Sequence, residues 1–171
     1  FPDPNDPGKP PPGAYIDLPN GIISALGTQA TFEAWVTWNG PAGSSWQRVF
    51  DFGTSNQGED LSPGGVNSTY IFLTPRSGAN TLRFGYRYGP TAVERWVENV
   101  VLQPGIEYHL AVVWNDDTGT AQLYVNGRLV AEDNEVHFTL SELLDNNNWL
   151  GRSQWNDPLF NGSYNEFRIY D

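Results

Sequence analysis

The strongest constraint in this sequence is a two-residue period. In residues 31–39, Phe32, Ala34, Val36 and Trp38 alternate with Thr31, Glu33, Trp35 and Thr37. At that spacing successive side chains point to opposite faces of a strand. Aromatic groups on both faces predict a strand covered on both sides, at the centre of a sandwich. The period returns in Leu82, Phe84, Tyr86 and Tyr88 set against Arg83, Gly85 and Arg87, and in Phe167 and Ile169 set against Arg168 and Tyr170. Further strands are predicted at residues 15–18, 46–52, 70–74, 95–102, 107–115, 120–125, 128–131 and 149–151. Turn chemistry separates them: Pro19-Asn20-Gly21, Pro104-Gly105, Asp116-Asp117-Thr118-Gly119 and Asn126-Gly127. The last of these is a two-residue hairpin signal, because Asn and Gly both tolerate positive φ. Only residues 140–144 read as a helical turn. Many short strands with no long amphipathic helix give an all-β, two-sheet antiparallel sandwich. The closing strand is expected to pair with residues from much earlier in the chain.

The 171 residues suffice for one domain with a sizeable core. A net charge of −11 argues against nucleic acid and anionic membranes as partners. The carboxylates are scattered rather than in runs, which is the pattern of a soluble surface. With no cysteine, disulfides, thiolate chemistry and cysteine-bound zinc are all excluded. No apolar run approaches membrane-spanning length, so no membrane insertion is expected. Residues 1–13 carry six of the 13 prolines. Proline lacks a backbone donor and fixes φ, so this stretch reads as a linker or lead-in from a covalently linked neighbouring domain, or alternatively as a segment wrapped on the surface. The sandwich is assigned to residues 14–171. Residues 54–68 read as a long Gly/Ser/Asn loop, of a length usually either functional or mobile.

Four stretches, in order, resemble the laminin G-like domains of the concanavalin A-like lectin/glucanase superfamily. They are Tyr15-Ile16-Asp17-Leu18, Thr31-Phe32-Glu33-Ala34-Trp35-Val36, Leu123-Tyr124-Val125-Asn126-Gly127, and the closing run from Trp149-Leu150-Gly151-Arg152-Ser153 through Asp157-Pro158 to Asn165-Glu166-Phe167-Arg168-Ile169-Tyr170. The resemblance implies a jelly-roll topology and a secreted or cell-surface bacterial parent protein. It does not imply a single function, because the fold carries lectins, enzymes and adhesion modules.

Hydrolases on this fold place carboxylates on alternate residues of one strand, in an E-x-D-x-x-E or E-x-D-x-E pattern, so that two acids flank a glycosidic bond. No such run occurs. Glu132-Asp133-Asn134-Glu135 is the nearest acidic group and reads as a solvated turn. His109 and His137 lack a partner at metal spacing and read as structural histidines.

Glycans offer flat C–H faces and many hydroxyls, so aromatic platforms beside amides and carboxylates suit them. Trp46, Trp96 and Trp155 stand nearest to predicted loops or strand ends, with Tyr86 and Tyr88 beyond them. Arg152, Gln154, Asn156 and Asp157 supply hydrogen-bonding groups beside Trp155. Trp35, Trp38, Trp114 and Trp149 are assigned to the core. The resemblance further implies a structural Ca2+, commonly held by an aspartate just before the closing strand. Asn165 occupies that position here and offers an amide oxygen without charge. Asp17, Asp51 and Asp171 complete the candidate set if the ends of the sandwich meet. Two sequons, at Asn67 and Asn161, bear on glycosylation only in a suitable secretory host.

These features together favour a non-catalytic carbohydrate-binding module of a larger secreted or surface protein. The alternatives are an adhesion module without a small ligand, and a hydrolase whose two carboxyl groups meet only in the folded cleft.

Overall fold

The computed structural model describes residues 15–40, 45–61, 69–89 and 91–171. The proline-rich stretch at 1–13 and the sequon asparagine Asn67 lie outside the described residues. Eleven strands form two sheets in which every pairing is antiparallel. One sheet has six strands in the order β1 (Ile16–Leu18), β10 (Asn147–Leu150), β3 (Phe50–Thr54), β4 (Thr69–Thr74), β5 (Arg83–Arg87) and β6 (Arg95–Glu98). The other has five, in the order β11 (Gly162–Tyr170), β2 (Gln29–Trp38), β7 (Glu107–Asn115), β8 (Thr120–Val125) and β9 (Arg128–Asp133). Among the described residues one 3-10 turn, Leu140–Glu142, falls where the sequence predicts a helical turn.

The closing strand β11 pairs with β2, from Gly162 opposite Trp38 to Tyr170 opposite Thr31, with a bulge at Asn165. Residues nearly a whole chain apart thus meet, as expected. β7 and β8 turn through Asp116 to Gly119, and β8 and β9 through Asn126 (φ 51°) and Gly127 (φ 73°).

Alternate residues of each strand fill the space between the sheets. Phe32, Ala34, Val36 and Trp38 of β2 meet Phe50 and Phe52 of β3, Ile71 and Leu73 of β4, and Phe84 and Tyr86 of β5. Phe50 and Phe52 stack at 4.7 Å, and the Phe167 edge closes on both. Each such ring contributes roughly 1.5–3 kcal/mol by burial.

Several expectations change. β2 is covered on one face only: Trp35, assigned to the core, is 38 % exposed on the outer face of the five-stranded sheet beside His109, at 4.8 Å. The strand predicted to start at residue 46 starts at Phe50, because Trp46 takes a left-handed φ of 72° that breaks the extended run. β6 ends at Glu98 rather than continuing to residue 102. The Glu132–Glu135 group is only in part a solvated turn: Glu132, Asn134 and Glu135 are exposed, but Asp133 is not. β9 runs through Asp133, which binds Arg95 at 2.7 Å and Tyr86 at 2.5 Å. His109 is structural, bonded to Glu33 at 2.5 Å, whereas His137 is exposed.

Candidate functional site: an aromatic cleft on the six-stranded sheet

The outward residues of the six-stranded sheet are Trp149 and Asn147 on β10, Asp51 and Gly53 on β3, Tyr70, Phe72 and Thr74 on β4, Arg83, Gly85 and Arg87 on β5, and Trp96 and Glu98 on β6. These positions alternate with the core residues in each strand. An outward face this rich in aromatic and charged groups needs covering. Residues 45–49 and 151–161 fold over part of it. Gly151 N–H donates to the Val49 carbonyl at 3.3 Å, Gln47 Nε2 donates to the Leu159 carbonyl at 2.7 Å, and the Tyr164 hydroxyl donates to Val49 at 2.6 Å.

Between these segments lies a cleft of about 290 Å3 lined by Trp46, Arg48, Phe72, Glu94, Trp155 and Asp157. That is the small end of ligand pockets, which run from about 300 to 1,000 Å3. Trp46 forms one wall. Its backbone N–H donates to the Arg76 carbonyl at 2.9 Å, its ring meets Phe72 edge-on at 6.4 Å, and it lies against Gly78, where a Cβ would stand 3.3 Å from the ring. A non-glycine residue at positive φ carries roughly 1–3 kcal/mol of strain, of the kind found at binding sites. Trp155 forms the other wall, edge-on to Tyr70 at 4.7 Å and to Phe72 at 6.5 Å.

Arg48 joins the walls to the floor. Its guanidinium sits 4.2 Å above the Phe72 ring and within 6 Å of both Trp46 and Trp155. Each of its nitrogens is used: Nε binds Asp51 at 3.1 Å, Nη1 donates to the Trp46 carbonyl at 2.5 Å, and Nη2 binds Asp157 at 3.1 Å. Asp51 has no exposed side-chain surface. It also accepts from the Gln154 backbone N–H at 3.1 Å and Gln154 Nε2 at 2.9 Å. Burial pushes the Asp51 carboxyl up to about 6, against the pull of Arg48 and Gln154. Burial likewise raises the Asp157 carboxyl, which accepts from Ser153 at 2.8 Å. The Tyr70 hydroxyl donates to Glu94 at 2.7 Å; burial and that carboxylate push the phenol well above its usual range.

Of the sugar-binding candidates, Trp46, Trp155 and Asp157 line the cleft. Gln154 is fully buried and acts beneath it, on Asp51. Asn156 is exposed at the tip of the same loop. Trp96, 46 % exposed, lies just outside, with Arg83 over its ring at 4.6 Å. Arg152 is a correction. It is 1 % exposed, stacked 3.8 Å over Trp149, and donates to the Asp60 carbonyl at 2.7 Å; burial lowers its pKa. Tyr86 is buried against Asp133, and Tyr88 stacks on Phe138 at 5.3 Å, away from the cleft. The sequence reading missed Arg48, Phe72 and Glu94. A signal existed for Arg48, a cation set within a predicted strand between Gln47 and Val49.

The calcium candidates do not converge. Asp51 is fully buried on the six-stranded sheet with Arg48 and Gln154 as its donors, and Asp17 sits on the β1 edge of that sheet. Asn165 is at the β11 bulge of the other sheet, and Asp171 accepts from Gly27 N–H at 3.2 Å. No cluster of three or more His, Cys, Asp or Glu that could hold a metal is found among the described residues. The proposed set therefore does not fit one ion.

The family model for the concanavalin A-like lectin/glucanases superfamily, laminin G type, matches residues 10–171. The chain belongs to that superfamily. No curated protein matches this laminin G-like domain in sequence. Among solved structures it is similar to domain 4 of AbnA, an extracellular GH43 arabinanase of Geobacillus stearothermophilus in complex with arabinotriose. There the TM-score is 0.67 at 22 % identity, covering 92 % of this chain and 66 % of that one. The CBM40 of the Ruminococcus gnavus IT-sialidase, bound to α2,3-sialyllactose, gives a TM-score of 0.67 at 15 % identity, covering 91 % and 89 %. Sheep galectin-11 gives 0.51 at 11 %, covering 91 % and 94 %. At these identities the likeness is one of fold. The laminin G-like domain has no helix long and apolar enough to cross a membrane among its described residues.

Proposed function

We propose that this domain is a non-catalytic carbohydrate-binding module whose sugar site is the cleft between Trp46 and Trp155. The observation that carries the reading is the pair of partly exposed tryptophan walls fixed around Arg48 by two carboxylates. Rigid aromatic faces take up sugar C–H surfaces with little entropy loss. Asp157 accepts two bonds through Oδ2; a carboxylate has about four acceptor sites, so capacity remains for hydroxyls.

Glu94 and Asp157 both line the cleft, as the hydrolase alternative would ask. Each is committed elsewhere, however: Glu94 to Tyr70 and Arg83, Asp157 to Ser153 and Arg48. Those bonds brace the aromatic walls, which supports reading the two carboxylates as positioning and hydroxyl-accepting groups. The similarity to sugar-binding domains of two glycosidases, one of them extracellular, supports a role inside a larger secreted or surface protein. The proline-rich composition of residues 1–13 agrees with a linker.

Affinity electrophoresis through a panel of polysaccharides, with reducing ends assayed in parallel, tests this. The expected result is retardation on at least one glycan, lost in Trp155→Ala, with no reducing ends released. Free migration on every glycan would leave the adhesion module; sugar release abolished by Asp157→Asn would make it an enzyme.

A further inference from the structure

The outward face of the six-stranded sheet holds a row that crosses its strands. The register places Trp149 opposite Asp51, Asp51 opposite Phe72, Phe72 opposite Gly85, and Gly85 opposite Trp96. Neighbouring strands stand about 4.8 Å apart, so Trp96 on β6 lies roughly 10 Å from the Phe72 position on β4. Gly85, between them, has no side chain to interrupt the row. The Phe72 ring leans over it, and a Cβ there would stand 2.6 Å from that ring. Arg83, next along β5, fills the gap above: its guanidinium lies 5.1 Å from the Trp46 ring and 4.6 Å from the Trp96 ring. The cleft and the exposed Trp96 are therefore two aromatic stations on one continuous surface.

The charges on this surface are spoken for. Arg48 uses all three nitrogens on Asp51, Asp157 and the Trp46 carbonyl. Arg83 binds Glu98 through Nε and Nη2, both at 2.9 Å, and reaches Glu94 through Nη1 at 3.5 Å. Arg87, registered opposite Tyr70, is not free either. Arg48 and Arg83, the two guanidiniums stacked on the aromatic walls, are thus both committed to carboxylates, and the cleft offers an incoming ligand chiefly aromatic faces and carboxylate acceptors. The domain as a whole, at −11, repels anions further.

We infer that the ligand is an uncharged, linear oligosaccharide lying across the strands, with its first residues between Trp46 and Trp155 and later residues on Trp96. This inference rests on reading the cleft as a sugar site. It gives that site a direction, a length and a charge class. A hexuronate or sialylated chain is disfavoured, because its carboxylates meet Glu94 and Asp157, whose arginine partners Arg83 and Arg48 are already engaged. A longer neutral chain gains contact as it reaches β6.

The test is calorimetric titration of the intact domain with neutral arabino-, xylo- and cello-oligosaccharides of increasing length, and with polygalacturonate as the acidic counterpart. Trp96→Ala and Trp155→Ala variants are run alongside. In the native protein, affinity should climb about three- to tenfold from the shortest to the longest bound oligomer of one series, the worth of one added aromatic contact. Trp96→Ala should bind the short oligomer as the native protein does and lose the climb, while Trp155→Ala loses binding at every length. Polygalacturonate should not bind. A climb that survives in Trp96→Ala, or no climb at all, overturns the inference while leaving the cleft intact. Polygalacturonate binding as tight as the neutral series, and abolished by Trp155→Ala, also overturns it. Binding of no oligomer or polymer removes the sugar-site reading and this inference together. Circular dichroism confirms folding of both variants; Trp96 is exposed enough for its loss to leave the core untouched.

Discussion

Arg48→Met tests whether the cleft is built on charge. The methionine keeps an unbranched apolar stem and removes the guanidinium, together with its stacking on Phe72. Asp51, with no exposed surface, then keeps only Gln154, and Asp157 keeps only Ser153. Removing one partner of a buried ion pair costs about 3–5 kcal/mol, because the other charge stays buried and unmatched. Urea denaturation followed by tryptophan fluorescence should show a loss in that range at about pH 7.5, with little change in m-value. Adding Asp51→Asn should recover most of it, since the amide oxygen still accepts from Gln154 and the only charge left without its cation is that of the partly exposed Asp157. The pH dependence has a definite sign. The Asp51 carboxyl is raised in the folded state, from the ordinary 3.8 to about 6. Its ionised form therefore opposes folding above pH 6, and that penalty is relieved as pH falls from about 6 towards 4, where the native state binds the extra proton. Without Arg48 to favour the carboxylate, this carboxyl rises further, so the variant's deficit should narrow at about pH 5. A deficit below about 1 kcal/mol at pH 7.5, or one that Asp51→Asn deepens, would falsify the ionic account of the cleft.

Three further outcomes are expected. Arg83, Thr81 and Ser77 hold the Glu98 carboxyl down to about 2, so it contributes stability above about pH 4.5 that is lost as pH falls towards 2. After discounting for its partly exposed side chain, Glu98→Gln should cost about 1–2 kcal/mol at neutral pH and flatten stability across that acid window; parallel acid limbs in native and variant proteins would count against it. Gly53, at φ 145°, lies where a Cβ would strike the Thr69 carbonyl and stand 2.7 Å from Tyr70 Cα. Gly53→Ala should therefore lose at least about 2–3 kcal/mol by denaturant titration, and near-native stability would show that β3 and β4 can separate there. Trp35→Ala, on the opposite sheet, should bind glycan as the native protein does, and any loss comparable to that of Trp155→Ala would move the site to the other face.

The particular residues explain how much of this was legible in advance. Period-two runs such as Phe32–Trp38 and Phe84–Tyr86, with Asn126-Gly127 between β8 and β9, determine strands and turns locally, since alternation and positive φ are properties of neighbouring residues. They therefore give the all-β class, most strand positions and the presence of Trp46, Trp155 and Asp157 near loops. What alternation cannot say is which covered face is solvent. Trp35 and Trp149 both sit in strand patterns, yet Trp35 faces water and Trp149 is buried, because a loop folds over one sheet and leaves the other open. The same limit hid Arg48, Phe72 and Glu94. They lie far apart in the chain, and their common cleft exists only once β3, β4 and residues 91–94 are brought together. Arg152 shows the converse: beside Trp155 in sequence, it points the other way and is buried on Trp149. The amino-acid order thus settled the strands by short-range stereochemistry. The assembly of distant strands alone decided which side chains share a surface, because burial and charge pairing are set by three-dimensional neighbours.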